Sequence, residues 1–175
     1  HDTTFAIVRY GNVAGSRGSV IPYFQSLLDK GEDCLPITDH RMTRFWITLD
    51  QAVDLVFRAM EESKGGETYI TKIPSFKITD LAKAMAPKGS MREVGIREGE
   101  KLHEVMITES DSFSTYLYDD HYIIYPASLE WWGDARKKEG GTKVAESFRY
   151  SSDTNTEWLG VDEIRERLAK LNHSA

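Results

Sequence analysis

The stretch Phe5-Ala6-Ile7-Val8-Arg9-Tyr10-Gly11-Asn12-Val13-Ala14-Gly15-Ser16-Arg17-Gly18-Ser19-Val20-Ile21-Pro22 decides the fold. An apolar run of β-type residues breaks into a loop with glycines at 11, 15 and 18, then resumes with helical spacing. Residues 5–9 alternate little, which predicts a strand buried on both faces. Strand, glycine-rich loop and helix in this order are how open α/β sheets set ligands at the carboxyl ends of their strands. The glycine spacing is not the G-x-G-x-x-G of a dinucleotide fingerprint, and no acidic residue follows at the matching distance. The glycines therefore serve a tight turn or a close backbone approach to a ligand, and spacing alone leaves both open.

Working outward, Val20, Phe24, Leu27 and Leu28 predict a helix over 20–29, ended by Lys30 and Gly31. Residues 35–38 read as a short extended piece that Pro36 confines to an edge or a loop border. Residues 45–48 read as another strand. Thr48 with Gln51 forms the Thr-x-x-Gln pattern of a capping box. Behind it Ala52, Val53, Leu55, Val56, Ala59 and Met60 recur at helical spacing. A strand is expected over 67–72, a helix from Ile78 to its stop at Pro87 and Gly89, and a strand over 91–96. Residues 102–107 are ambiguous. Residues 116–125 read as one or two strands around an Asp119-Asp120 turn. Residues 133–147 read as an exposed loop, and Val161, Ile164, Leu168 and Leu171 mark a last helix. Strands and helices alternate early and irregular structure follows. The expected class is α/β: terminal strands and helices of a Rossmann-type parallel sheet, then a smaller α+β substrate-binding lobe.

Composition narrows the function. The 175 residues carry a formal charge of −6, which argues against a nucleic-acid surface. No run approaches the roughly 18 apolar residues of a membrane span, so no membrane partner is expected. The single Cys34 fits a reducing cytoplasm. The first residues lack the basic and apolar regions of a signal peptide, and there is no initiator Met. A chain that starts almost directly on a buried strand reads as part of something longer. No metal site is expected: His103-Glu104 suggests a zinc helix, but Ile107 stands where a second histidine belongs.

Three arginines stand out. Arg41 and Arg44 flank Met42-Thr43, and Arg97 precedes Gly99 at a strand end. An arginine fixed at such a border grips a phosphate through its planar fork. Glu100 can accept both hydroxyls of a vicinal diol such as a ribose; its plainer reading is a solvated loop acid. Asp119-Asp120-His121 reads as a solvated turn, because adjacent residues on a strand point to opposite faces. The tryptophans (Trp46, Trp131, Trp132, Trp158) read as core or interface.

Residues 9–13 with Gly15-Ser16-Arg17-Gly18-Ser19-Val20-Ile21-Pro22, Leu35-Pro36-Ile37-Thr38-Asp39 with Arg41-Met42-Thr43-Arg44-Phe45-Trp46-Ile47-Thr48, Lys72-Ile73-Pro74-Ser75, and residues 95–104 resemble the carboxyl-terminal half of the inverting UDP-N-acetylglucosamine 4,6-dehydratases. That family lies within the extended short-chain dehydrogenase/reductase superfamily and serves polysaccharide and glycan biosynthesis. The resemblance covers roughly residues 5–168. It implies a chain that lacks the amino-terminal cofactor-binding part, with the glycine fingerprint, the Tyr-x-x-x-Lys pair and the catalytic residues all upstream of His1. It further implies that Tyr10 and Gly11 lie near the nicotinamide of NADP (NAD not excluded) and that Asn12 binds the substrate diphosphate. By the same resemblance Val20 and the strand of Leu35, Pro36, Ile37 and Thr38 sandwich the uracil, Arg44 and Arg97 clamp the diphosphate, and Glu100 holds the ribose. A UDP-sugar substrate and a homo-oligomer are the implied partners. The complete enzyme would oxidise C4 of the sugar, eliminate water across C5–C6 and return hydride with inversion at C5. The alternatives are a UDP-sugar epimerase of the same superfamily and a non-catalytic nucleotide-sugar-binding or oligomerisation domain.

Overall fold

The computed structural model describes residues 3–126 and 138–171. In chain order its main elements are β1 (Ile7–Val8), α1 (Val20–Leu28), β2 (Cys34–Ile37), β3 (Thr43–Phe45), α2 (Leu49–Glu62), β4 (Thr68–Thr71), β5 (Ser75–Lys77), α3 (Ile78–Met85), β6 (Ser90–Glu93), β7 (Val105–Ile107), β8 (Thr115–Leu117), β9 (His121–Ile124), β10 (Thr142–Lys143), β11 (Tyr150–Ser151) and α4 (Val161–Leu171). They form two units that interleave along the sequence. The first takes residues 3–10, 48–72, 105–126 and 138–151, and the second takes 11–47, 73–104 and 152–171. The class is α/β, but sheet and lobe alternate along the chain instead of following one another.

In the first unit the sheet order is β1-β4-β9-β8-β10. Only β1 and β4 are parallel, with Ile7 opposite Thr68 and Val8 opposite Tyr69, and the other pairs are antiparallel. Helix α2 starts where the sequence places it. The Thr48 hydroxyl accepts from Gln51 N at 3.3 Å and the Gln51 side chain accepts from Thr48 N at 3.0 Å, so both halves of the capping box are made. Leu55 and Ala59 of α2 pack on Tyr69, Tyr118, Ile123 and Tyr125. At the helix end Glu67 accepts from Ser63 Oγ, Lys64 N and Gly65 N at 2.7–3.0 Å. Burial pushes that carboxyl up, but these donors outweigh it and hold it below its ordinary range.

Four expectations are corrected in this unit. Strand β1 is two residues long and not buried on both faces: Phe5 and Ile7 are exposed, because among the described residues β1 is the sheet edge, with β4 as its one ladder partner. Val53, Val56 and Met60 are exposed, whereas Ala52, Leu55 and Ala59 are buried. Helix α2 is apolar on more than one side, and only one side meets the sheet. The loop expected over 133–147 contains β10, which pairs with β8; residues 133–137 lie outside the described residues, as do Trp131 and Trp132. The Asp119-Asp120 turn does join two strands, β8 and β9, but His121 is buried at the start of β9.

The second unit carries the larger apolar core. Phe24 and Leu27 of α1, Leu35 and Ile37 of β2, Trp46, Phe76, Leu81 of α3 and Ile164 of α4 pack together. Trp46 meets Phe76 edge-on at 5.6 Å. Strand β2 pairs in parallel with β6, and β3 pairs antiparallel with β5. Helix α1 ends as read, with Gly31 N and Glu32 N bonding back to Leu28 O and Leu27 O. No helix among the described residues is long and apolar enough to cross a membrane.

Candidate functional site

The site is built in the second unit, from the carboxyl ends of two parallel strands. The β2–β6 ladder continues past its named ends: Val94 N donates to Ile37 O at 2.8 Å and Gly95 N to Thr38 O at 3.1 Å. Thr38 and the following loop are thereby held side by side. In that loop Glu100 N donates to Arg97 O at 3.0 Å, and Gly99 has φ +81°. This is a turn that demands a left-handed residue at its third position. It returns the chain so that Glu100 Oε1 accepts from Thr38 Oγ1 at 3.1 Å.

The glycine loop also lines the site, through Val13, Ala14, Gly18 and Ser19. Ser16 N bonds to Val13 O and Ser19 N to Ser16 O, two successive turns that deliver the chain to the start of α1. Gly18, at φ +80°, takes the third position of the second turn. The glycines thus make turns, and the same turns put loop backbone against a cavity. That cavity has a volume of about 860 Å³, within the usual range for small-molecule sites. Asn12, Val20, Pro36, Ile37, Thr38, Arg44, Arg97 and Glu100 all line it.

The remaining sequence candidates fall elsewhere. The Leu35 side chain is fully buried in the core. Tyr10 and Gly11 are not among the lining residues, and Tyr10 is exposed. Arg41 is spent locally: its backbone N and guanidinium donate three bonds of 2.6–3.0 Å to Asp39, which hold the Asp39 carboxyl down at about 2. Among the described residues no cluster of three potential metal ligands occurs.

Arg44 and Arg97 differ in kind. Arg44 Nη1 donates to Thr43 O at 2.7 Å and Leu102 O at 3.1 Å, and Nη2 donates to Lys101 O at 2.8 Å. Burial pulls its guanidinium below the ordinary value, against the pull of Glu104 and Glu100. Arg44 therefore anchors the loop that carries Glu100, with part of its fork already committed. The Arg97 guanidinium makes no ion pair or hydrogen bond with the described residues; its contacts with Glu100 are through the backbone, Arg97 N donating to Glu100 Oε2 at 3.4 Å and Arg97 O accepting from Glu100 N. Sequence reasoning missed Lys101 and Glu104, which also line the cavity. Glu104 Oε2 accepts from Phe45 N at 2.8 Å. Its sequence signal, an acid beside a histidine, resembles a metal motif and conceals this role. Arg44, Arg97 and Lys101 outnumber Glu100 and Glu104 in the lining, so a chain of charge −6 presents a locally cationic cavity.

Such a cavity, cationic in part and lined also by Val20, Pro36, Ile37 and Phe45, suits an anionic group carried on a partly apolar body. The family model described as polysaccharide biosynthesis protein matches residues 1–126, and the chain belongs to that family. It is 48% identical over 182 residues to the UDP-N-acetylglucosamine 4,6-dehydratase (inverting) of Campylobacter jejuni, an alignment covering 98% of this chain and 52% of that protein. It is 36% identical over 177 residues to the UDP-glucose 4-epimerase of Rickettsia canadensis, covering 99% and 51%. The X-ray structure of Pen from Bacillus thuringiensis matches with a TM-score of 0.82 at 33% identity, over 97% of this chain and 51% of that one. The chain spans about half the length of the curated relatives it matches.

Proposed function

We propose that this chain is the nucleotide-sugar-binding, carboxyl-terminal part of a UDP-N-acetylglucosamine 4,6-dehydratase of the inverting type, a lyase of polysaccharide or glycan biosynthesis within the extended short-chain dehydrogenases/reductases. One observation carries the reading: Asn12, Thr38, Arg44, Arg97 and Glu100, chosen from sequence, line a single cavity. The 48% identity to a named dehydratase supports the choice of reaction. In this reading Arg97, whose guanidinium has no partner among the described residues, meets the diphosphate together with Asn12 and the uncommitted part of the Arg44 fork. Glu100 exchanges its bond from Thr38 for the ribose hydroxyls. Val20 and the end of β2 flank the uracil.

The whole protein would use a nicotinamide cofactor, NADP in our reading, whose reversible hydride chemistry makes elimination next to a transient ketone feasible. The contacts this reading gives it from this chain are Tyr10 and Gly11, and the glycine loop lacks the spacing that cradles a dinucleotide pyrophosphate. The residues of this chain bind and orient; the proton-moving groups belong to the other part. A cytoplasmic homo-oligomer is part of the same proposal.

An epimerase outcome is the second reading, favoured by the 36% identity to a UDP-glucose 4-epimerase. Product analysis separates them. The intact gene product, given UDP-N-acetylglucosamine, is expected to yield a 4-keto-6-deoxy sugar inverted at C5 by NMR. A C4 epimer with C6 still hydroxylated would move the assignment to the epimerases.

A further inference from the structure

The loop of Arg97 and Glu100 is held from a distant part of the chain. Ser152 follows β11, more than a hundred residues from β3, and its side chain is fully buried. Ser152 Oγ lies 2.7 Å from Thr43 Oγ1 and accepts from Glu104 N at 2.9 Å, while Ser152 N donates to Glu104 O at 2.9 Å. Thr43 Oγ1 in turn lies 2.8 Å from His103 Nδ1, and Thr43 N donates to Leu102 O at 3.1 Å.

The donors and acceptors close on themselves. With Nδ1 of His103 unprotonated, Ser152 donates to the Thr43 hydroxyl and the Thr43 hydroxyl donates to the ring. With Nδ1 protonated, the ring donates to Thr43 Oγ1, Thr43 donates to Ser152, and Ser152 donates to Thr43 O at 3.2 Å. Either way every buried polar hydrogen finds an acceptor, so the arrangement holds whatever the histidine tautomer. Its effect is to press residues 102–104 along β3, next to the carbonyls that Arg44 grips.

We propose that Thr43 and Ser152 are positioning residues for nucleotide binding: a buried hydroxyl pair that latches residues 102–104 to β3 and so fixes Arg97 and Glu100 in the wall of the cavity. This rests on the nucleotide-sugar reading. Neither residue is among those lining the cavity, so both act through the loop. A loop held in its binding geometry before the ligand arrives avoids an ordering cost at the moment of binding.

The test uses the full 175-residue chain and two readouts. The variants are Ser152→Ala, Thr43→Val, which keeps shape but removes the hydroxyl, and Thr43→Ser, which keeps the hydroxyl. Amide hydrogen exchange without ligand is expected to quicken at Thr43, Phe45 and Glu104 in Ser152→Ala and Thr43→Val, and to stay unchanged in α3 and α4. UDP affinity by calorimetry is expected to fall roughly tenfold in the same two, the size of one lost buried hydrogen bond, and to be restored in Thr43→Ser. Unchanged exchange at those three amides overturns the latch. Faster exchange with undiminished UDP affinity overturns the positioning role. If the unaltered chain binds no UDP, the nucleotide reading itself fails, and the positioning role with it. If Ser152→Ala does not fold, the Thr43 pair carries the same outcomes.

Discussion

Replacing Arg44 separates a loop anchor from a ligand contact. Its guanidinium donates to three carbonyls, but these do not count equally. Thr43 O also lies 3.2 Å from Ser152 Oγ, and Leu102 O keeps the Thr43 amide, so neither is orphaned when Arg44 goes. Lys101 O loses the one side-chain donor the structure gives it. Hydrogen bonds to a charged donor contribute about 1.5–3 kcal/mol each, and bonds within one network do not add fully. Arg44→Ala is therefore expected to lower unfolding free energy by about 2–4 kcal/mol in urea titrations. Arg44→Lys keeps the charge, but one ammonium does not reproduce a planar fork that spans three carbonyls. It should recover less than half of the loss. Because Arg44 holds the loop of Glu100, UDP affinity should fall with stability in both variants, roughly tenfold or more for alanine. Wild-type stability in Arg44→Ala would refute the anchoring argument. So would full recovery in Arg44→Lys. Lost UDP affinity at unchanged stability would make Arg44 a ligand contact only.

Three further outcomes are expected. Burial holds the His121 imidazole below its ordinary value, with Arg58 and Lys138 adding to burial and Asp120 opposing it. The unfolded chain, titrating near about 6.5, then takes up this proton first as pH falls, so stability should drop from about pH 6.5 downward. His121→Phe, which keeps the stack on Tyr118, should flatten that slope in unfolding measurements between pH 5 and 8; an unchanged slope would assign it to other groups. Thr48→Ala removes the capping box of α2 and should cost about 1 kcal/mol in the same assay, with no change in UDP affinity. The edge that β1 forms among the described residues and the exposed Phe57 and Met60 of α2 should make this chain self-associate in sedimentation velocity, and Phe57→Glu with Met60→Glu should shift it to monomer. A monomeric unaltered chain would contradict this.

What the sequence disclosed was local. The Thr48–Gln51 box and the stop of α1 at Gly31 each depend on residues a few positions apart, and each is made as read. Strand ends and a glycine marked Arg44, Arg97 and Glu100 singly, but they marked Arg41 as well, and the grouping at one ligand came from the family resemblance. The side of α2 that meets the sheet was not, because Val53 and Leu55 are equally apolar and only the packed sheet chooses between them. The interleaving of the two units was hidden for the same reason: β1 pairs with β4 and β7 with β11 across long separations that no periodicity records. The partial commitment of Arg44 and the Ser152–Thr43 contact belong to this class. Serine, threonine and backbone carbonyls are too common to signal a contact more than a hundred residues away.

The central claim is that the cavity beside β2 and α1 takes the uridine diphosphate part of a nucleotide sugar, with Arg97 on the phosphates. Calorimetric titration of UDP into this chain and into Arg97→Ala tests it most directly. The account predicts saturable one-to-one binding by the unaltered chain. In Arg97→Ala it predicts binding weaker by about 10- to 150-fold, the equivalent of one charge-assisted contact, with the urea midpoint unchanged because that guanidinium makes no hydrogen bond or ion pair with the described residues. A folded chain that gives no UDP binding, or an Arg97→Ala variant that binds UDP as tightly as the unaltered chain, would contradict it.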